Sequence, residues 1–143
     1  MENNNDYEKL RLQNQLCFPL YSASRKIIGM YTPDLKPLGI TYTQYLVFLV
    51  LWENKKLTSG EICKMLFLDN GTITPVIKKM EKDGYLLRER SKEDERVVFV
   101  SITEKGMNMR KAAKEIPEKI GICLPLEKEE TIELHRLLYK ILG

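Results

Sequence analysis

Residues 58–84 read TSGEICKMLFLDNGTITPVIKKMEKDG. Thr58 opens a Thr-x-x-Glu capping box, in which a hydroxyl and a carboxylate bond the free amides at a helix start. Asp69 or Asn70 can cap a second helix, which Gly84 closes. Two short helices joined by a tight turn, with the second one longer, are the helix-turn-helix pattern.

The second helix, predicted over 70–83, has two different faces. At 100° per residue, Ile73, Ile77 and Met80 fall on one side with Val76 and would pack on the core. The other side has small residues near the helix start and lysines further along, which suits base edges and phosphates respectively. The candidate DNA-contacting residues of this helix are Asn70, Gly71, Thr72, Thr74, Pro75, Lys78, Lys79 and Lys82. We place Pro75 in the first turn, where a missing amide costs little. A solvated lysine-bearing surface helix is the alternative interpretation.

A β-hairpin is predicted directly after this helix. The runs 85–90 and 96–102 are rich in apolar residues, and the charged stretch 91–95 separates them. The tip carries Asp94 and Arg96, and an arginine there can enter a minor groove. Because residues 71–96 hold nearly as many acidic as basic side chains, attraction to DNA must come from sorting of charge by face. The helix-turn-helix with this hairpin predicts a winged helix.

Helices are predicted on both sides of the winged helix. Apolar spacing indicates a helix over 7–31, with a kink at Pro19 because proline lacks an amide hydrogen. Pro117, Gly121 and Pro125 are expected to interrupt the helical pattern late in the chain. The other predicted helices cover 43–53, 104–116 and 127–142. The predicted fold class is mainly α with a small β-hairpin.

Length and composition restrict the class of protein. The chain has 143 residues, 43% of them hydrophobic, and a net charge of +3. That size suits one domain, 1–143, with a sizeable core. The longest apolar run, 45–52, is too short to span a membrane, and the polar residues 1–6 do not resemble a secretory signal. We therefore expect a cytoplasmic protein with no membrane partner.

The titratable residues exclude several kinds of chemistry. Cys17, Cys63 and Cys123 are an odd number and widely spaced, and His135 is the only histidine, so neither a zinc site nor a disulfide framework is expected. Cys63 is expected to be buried and inert, and His135 to lie on a surface or interface. No catalytic carboxylate pair, Ser/His/Asp set or phosphate-binding glycine loop is present. We expect a protein that binds no cofactor and no metal ion and is not an enzyme.

Four motifs, in order along the chain, resemble the organic-hydroperoxide-sensing OhrR branch of the MarR family. They are LCFPLY at 16–21, LGITYTQY at 38–45, LDNGTITP at 68–75 and DER at 94–96. The resemblance implies a homodimer whose terminal helices, about 7–40 and 104–143, interlock. The winged helices, about 41–103, would then bind a pseudo-palindromic DNA operator.

The resemblance also assigns roles around Cys17. It implies that Cys17 is the peroxidatic sensor, that Tyr31 and Tyr42 of the partner subunit donate hydrogen bonds to its thiolate, and that Tyr21 lies nearby. Phenol donors favour the thiolate, which is the reactive form. Cys123 is a possible resolving thiol, because some members form an inter-subunit disulfide from this region and others use a small thiol. Packing roles for Cys17 and Cys123 are the alternatives.

The expected function is a repressor that releases its operator when an organic hydroperoxide oxidises Cys17. The alternatives are a MarR-type regulator of a small phenolic ligand, a global redox or virulence regulator of the same branch, and a thiol peroxidase. Two residues depart from the branch pattern. Pro19 follows the sensor by two residues, where it could alter thiol exposure, and Asn70 replaces the usual serine, where it could alter operator preference.

Overall fold

The computed structural model describes residues 7–143 and shows a mainly helical winged helix. The predicted absence of a signal in residues 1–6 concerns a segment outside this range. The helices are α1 (Cys17–Met30), α2 (Thr32–Leu35), α3 (Tyr42–Asn54), α4 (Ser59–Leu66), α5 (Asn70–Lys82), α6 (Glu104–Ala113), α7 (Ile116–Cys123) and α8 (Lys128–Leu142). The strands are β1 (Lys56–Thr58), β2 (Leu86–Arg90) and β3 (Val98–Ile102).

The core lies between α3, α5 and the sheet. Phe48 and Leu51 of α3, Ile77 of α5, Leu86 of β2 and Val100 of β3 are all almost completely buried. The sheet is antiparallel in the order β1-β3-β2. The predicted fold class and hairpin are confirmed, whereas β1 was not predicted. Its last residue is Thr58, which also opens the capping box, and it pairs with β3, with Leu57 opposite Val100.

The N-terminal helix starts later than the sequence predicted. Short 3₁₀ turns cover Glu8–Leu10 and Leu12–Asn14, and α1 begins only at Cys17. Pro19 is therefore the third residue of α1, where an amide has no carbonyl partner within the helix. The predicted kink at Pro19 is wrong, because no helical hydrogen bond is lost there.

Two other predictions about proline were wrong. Pro75 is the sixth residue of α5, beyond the first turn, so α5 lacks the bond that residue 75 would donate to the Gly71 carbonyl. Pro117 was expected to interrupt the helical pattern, but the break comes earlier, after Ala113 at the end of α6. Pro117 is the second residue of α7, a position that tolerates proline. Gly121 lies inside α7, whose buried Ile120 packs on the core.

The first and last long helices hardly contribute to this core. Neither α1 nor α8 contains a buried residue, although both carry several large apolar side chains. No helix among residues 7–143 is long and apolar enough to cross a membrane. The apolar faces of α1 and α8 are thus left without a partner within the single chain.

Candidate DNA-binding surface and sensor cysteine

Side-chain caps fix where the two helices of the helix-turn-helix begin. Thr58 Oγ1 accepts a hydrogen bond from the Glu61 amide at 3.1 Å, and the Glu61 carboxylate accepts one from the Thr58 amide at 2.7 Å. This confirms the predicted capping box. Asp69, rather than Asn70, caps α5, since its carboxylate accepts from the Thr72 amide at 2.8 Å. The Asn70 side chain is therefore left for another contact.

A groove of about 350 Å³ joins the start of α4, the start of α5 and the wing. Ser59 and Gly60 line it from α4, Asn70 and Thr74 from α5, and Arg96 from the wing. The first helix of the motif was not predicted to take part, although the capping box indicated its N-terminus. This groove brings the polar residues of three elements onto one exposed surface.

The wing ends in a short ion pair. Both Nε and the terminal nitrogen of Arg96 donate to the Asp94 carboxylate, at 3.1 and 3.2 Å, and the Arg96 amide donates to it as well. These bonds lower the pKa of Asp94 below its usual range. The Arg96 side chain is nevertheless 91% exposed, so the pair orients a guanidinium that stays available to solvent.

The outer side of α5 is exposed as predicted, but its lysines differ in their partners. Gly71, Thr72, Thr74, Pro75, Lys78, Lys79 and Lys82 are all exposed, and Ile73, Ile77 and Met80 face the core. Lys79 pairs with Asp83 at 2.9 Å, one turn further along. Within the described range Lys78 and Lys82 form no ion pair, so these two lysines are the ones on α5 whose charge is uncompensated by a direct contact.

A second ion pair, which the sequence did not predict, joins α5 to the hairpin. Glu81 accepts from the Arg88 side chain at 2.8 Å and from the Arg88 amide at 3.1 Å. These contacts with Arg88 lower the pKa of the Glu81 carboxyl. The pair links α5 to β2 at the base of the wing.

Cys17 is exposed and is the first residue of α1. The neighbouring apolar side chains Leu16, Phe18 and Leu20 are exposed as well. Tyr21 lies one turn further along α1, where the Arg25 guanidinium is 5.5 Å from its ring centre. The thiol therefore lies on a largely apolar, uncovered surface.

Tyr31 and Tyr42 meet at the other end of α1. Tyr31 follows the last residue of α1, Tyr42 starts α3, and their ring centres are 4.9 Å apart. Tyr45 packs against both rings and was not among the predicted site residues, because it resembled an ordinary core residue. Burial raises the pKa of all three phenols, so they keep their protons and can donate hydrogen bonds.

The structure brings Tyr31 and Tyr42 together but keeps Cys17 of the same chain away from them. Fourteen residues of helix separate Cys17 from Tyr31, and at 1.5 Å per residue this is about 20 Å. A hydrogen bond between this thiol and either phenol is impossible within one copy of the chain.

The other two cysteines are in contrasting environments. Cys123 ends α7 and is exposed, next to the loop that leads to α8. Cys63 is buried as predicted, and its thiol donates to Asn70 Oδ1 at 3.3 Å. Burial raises the pKa of the Cys63 thiol, which supports the expectation that it is inert.

The fold and this surface define a winged helix-turn-helix transcriptional regulator. The family described as Transcriptional regulator SarA/Rot matches residues 30–113. The organic hydroperoxide resistance transcriptional regulator of Bacillus subtilis is 44% identical to this chain over 141 residues, which cover 96% of this chain and 94% of that protein. The chain belongs to the MarR family of transcriptional regulators, in the organic hydroperoxide-sensing branch.

Solved structures support this assignment. Reduced AbfR bound to DNA is 38% identical, with a TM-score of 0.76 over 97% of this chain and 99% of that one. A disulfide-containing form of AbfR, a protein of Staphylococcus epidermidis, matches with a TM-score of 0.66 over 98% of each chain. A MarR variant from E. coli with operator DNA, 24% identical, shares the fold with a TM-score of 0.79 over 90% of this chain and 94% of that one.

Proposed function

We propose that two copies of this chain form a repressor that binds an operator when reduced and releases it when an organic hydroperoxide oxidises Cys17. The observation that carries this proposal is the separation of about 20 Å along α1 between Cys17 and the Tyr31–Tyr42 pair. If α1 of one copy lies antiparallel to α1 of the other, each thiol meets the phenols of its partner. The sensor is then complete only in the dimer.

Exposed apolar residues supply the surface for this dimer. About 7–40 and 104–143 would form the dimerisation region, leaving about 41–103 as the DNA-binding part. Both α1 and α8 are amphipathic helices without a buried residue, and contiguous apolar faces of this kind mark protein contacts. The large apolar residues of α8 that are exposed are Ile132, Leu134, Leu137, Tyr139, Ile141 and Leu142.

The proposed chemistry of release uses the Cys17 thiol, the peroxide and a second thiol. The Cys17 thiolate attacks one peroxide oxygen, the O–O bond breaks, and the leaving alkoxide takes a proton to become an alcohol. Cys17 becomes a sulfenic acid, which condenses with the thiol of Cys123, or of a small molecule, to give a disulfide and water. Tyr31 and Tyr42, with Tyr21 nearby, would stabilise the thiolate by donating hydrogen bonds.

The DNA-binding part would contact a pseudo-palindromic operator through two winged helices. The N-terminal half of α5 suits the major groove, with Asn70, Gly71, Thr72, Thr74 and Pro75 near the bases. Lys78, Lys79 and Lys82 would contact phosphates, and Arg96, oriented by Asp94, the minor groove. AbfR has been solved on DNA in reduced and overoxidised forms and separately in a disulfide form, which supports a disulfide-dependent switch here. Binding to chromosomal DNA places the proposed action in the cytoplasm.

The first experiment measures fluorescence anisotropy of the reduced protein on duplex DNA from its own upstream region, titrated with cumene hydroperoxide. We expect release that dithiothreitol reverses. Cys17→Ser should bind the same DNA and ignore the peroxide, while Cys63→Ser should respond like the wild type. Release that persists in Cys17→Ser contradicts the proposal.

The resolving step needs a separate measurement. If Cys123 resolves Cys17, peroxide should produce a covalent dimer on a non-reducing gel, and Cys123→Ser should abolish it. A dimer band that survives this substitution removes Cys123 from the mechanism. Because we propose a regulator and not an enzyme, each Cys17 should consume one peroxide and then stop; steady consumption with a reductant would instead indicate a thiol peroxidase.

A second candidate function has one structural observation in its favour. A groove of about 460 Å³ lies beside the tyrosines and is lined by Ile28, Leu35, Ile40 and Tyr42, among others. An apolar groove with a phenol could hold a small aromatic ligand. If this is the function, a hydroxybenzoate should cause the protein to release its DNA. Cys17→Ser should respond equally well, and the same anisotropy assay can measure both.

A further inference from the structure

Asn70 is the first residue of the recognition helix, and its side chain is held in one orientation. Its Oδ1 accepts the Cys63 thiol hydrogen at 3.3 Å, from the buried side of α4. Asn70 is exposed and lines the groove together with Thr74 and Arg96. The Nδ2 amide donates to no residue in the described range, so both of its hydrogens are free for a ligand in that groove.

An asparagine held in this way presents its amide hydrogens to the groove and turns its oxygen toward Cys63. A free asparagine side chain recognises adenine by donating to N7 and accepting from the N6 amine, which requires both ends of the amide. Guanine presents two acceptors, N7 and O6, on the same edge. With its oxygen turned toward Cys63, the Asn70 amide complements guanine and meets the adenine N6 amine with a like group.

We propose that Cys63 is a positioning residue for DNA recognition, which fixes the Asn70 amide so that Asn70 selects guanine over adenine at one base pair of each half-site. This inference rests on the proposed DNA-binding function. Cys63 does not touch DNA itself but supplies the proton that holds the amide oxygen. Because burial raises the pKa of the thiol, that proton stays in place at neutral pH.

The test selects bound duplexes from a randomised double-stranded DNA library, with dithiothreitol present, and compares the base preferences of variants. The wild type should prefer guanine at one position per half-site, and Asn70→Ala should lose the preference at that position alone. Cys63→Ala lacks the donor, so the amide can turn and accept adenine, and the guanine-to-adenine ratio should fall about fivefold, as expected for one lost hydrogen bond. Cys63→Ser keeps a donor and should restore most of the ratio.

Cys63→Val guards against a folding defect, because it fills a similar volume as Cys63 without a donor. It should lower the guanine-to-adenine ratio as much as Cys63→Ala does. The unfolding midpoint of each variant is measured as well, to show that the variant is folded. The inference is overturned if the donor-free variants keep the wild-type profile, if their preferences weaken equally at every position, or if Cys63→Ser behaves like Cys63→Ala. If Asn70→Ala binds all sequences more weakly by the same factor, Asn70 contacts a phosphate and not a base, and the inference is overturned as well.

Failure of the proposed function and failure of the inference give different results in this experiment. If the wild type selects no sequence from the library, the proposed function is wrong and the inference with it. If the wild type selects a motif and peroxide releases it, but the Cys63 variants select the same motif, only the inference is wrong.

Discussion

Gly106, the third residue of α6, packs against the base of the wing, and replacing it with alanine should destabilise the protein strongly. A Cβ atom at this position would lie 2.3 Å from the Tyr85 carbonyl oxygen and 2.7 Å from Ile102 Cγ1. The first of these is a backbone atom, so the hairpin and α6 must separate by about 1 Å to restore ordinary contact. Overpacking of this kind costs about 1–3 kcal/mol.

Two hydrogen bonds share the same contact and would weaken with it. The Trp52 indole donates to the Gly106 carbonyl at 2.9 Å, and the Thr103 amide donates to the Tyr85 carbonyl at 3.0 Å. Each such bond contributes about 1 kcal/mol. The better helix propensity of alanine offsets about 1 kcal/mol of this loss in the free energy of unfolding. We expect Gly106→Ala to lower the free energy of unfolding by about 2–4 kcal/mol.

Urea unfolding can measure this loss through Trp52, which is the only tryptophan and is buried. With a slope of about 2 kcal/mol per molar urea, the midpoint should fall by about 1–2 M. Gly60→Ala is the matched control, because a Cβ there meets nothing closer than 3.9 Å. Protein concentration must be equal, since the proposed dimerisation would add to apparent stability. Equal midpoints for the two variants would refute the reasoning.

Three further predictions follow from other contacts. Arg96→Ala should weaken operator binding about tenfold and lower its salt dependence, measured by anisotropy at several salt concentrations. Because Arg88 lowers the pKa of Glu81, their contact stabilises the fold above the usual glutamate pKa and is lost as the pH falls below it. Glu81→Gln should therefore cost about 0.5–1 kcal/mol at neutral pH, and the difference from wild type should vanish in acid. Ile132→Asp should dissociate the dimer in sedimentation, whereas Lys140→Asp should not.

The winged helix was predictable because its signals are local. A threonine and a glutamate three residues apart cap α4, and the apolar spacing of Ile73, Ile77 and Met80 fixes the inner face of α5. These patterns depend on neighbouring residues alone, so they survive without knowledge of the fold. The limits of α5 agree with the prediction within one residue.

The errors arise where a local pattern has two structural solutions. Leu10 and Leu16 belong to the apolar spacing that predicted a helix, yet they lie in and beside 3₁₀ turns before α1 starts. Proline marks a helix start as well as a helix break, and for Pro19 and Pro117 the first meaning applies. Tertiary contacts decide between the two, and these are not visible in the spacing.

The site was predictable only in part, and for a related reason. Cys17, Tyr31 and Tyr42 were named through family resemblance, since residues 11 or more apart carry no local signal of proximity. The contact between Tyr31 and Tyr42 depends on the turn formed by α2, which returns the chain toward α3. The hydrogen bond between Cys63 and Asn70 depends on the angle between α4 and α5, so no motif could have indicated it.

The position of α3 restricts how oxidation at Cys17 could reach the DNA. Tyr42, at the start of α3, contacts Tyr31, while Phe48 and Trp52 further along it stack on each other, and Phe48 meets Tyr85 at the base of the wing. Val47, Phe48 and Leu51 in the middle of α3 are completely buried, and close-packed interiors move as units because they resist local deformation. A change at the tyrosines is therefore carried by the whole winged helix and not by a rearrangement inside it. In the proposed dimer, oxidation would then alter the distance between two intact recognition helices, and the operator spacing would detect that distance.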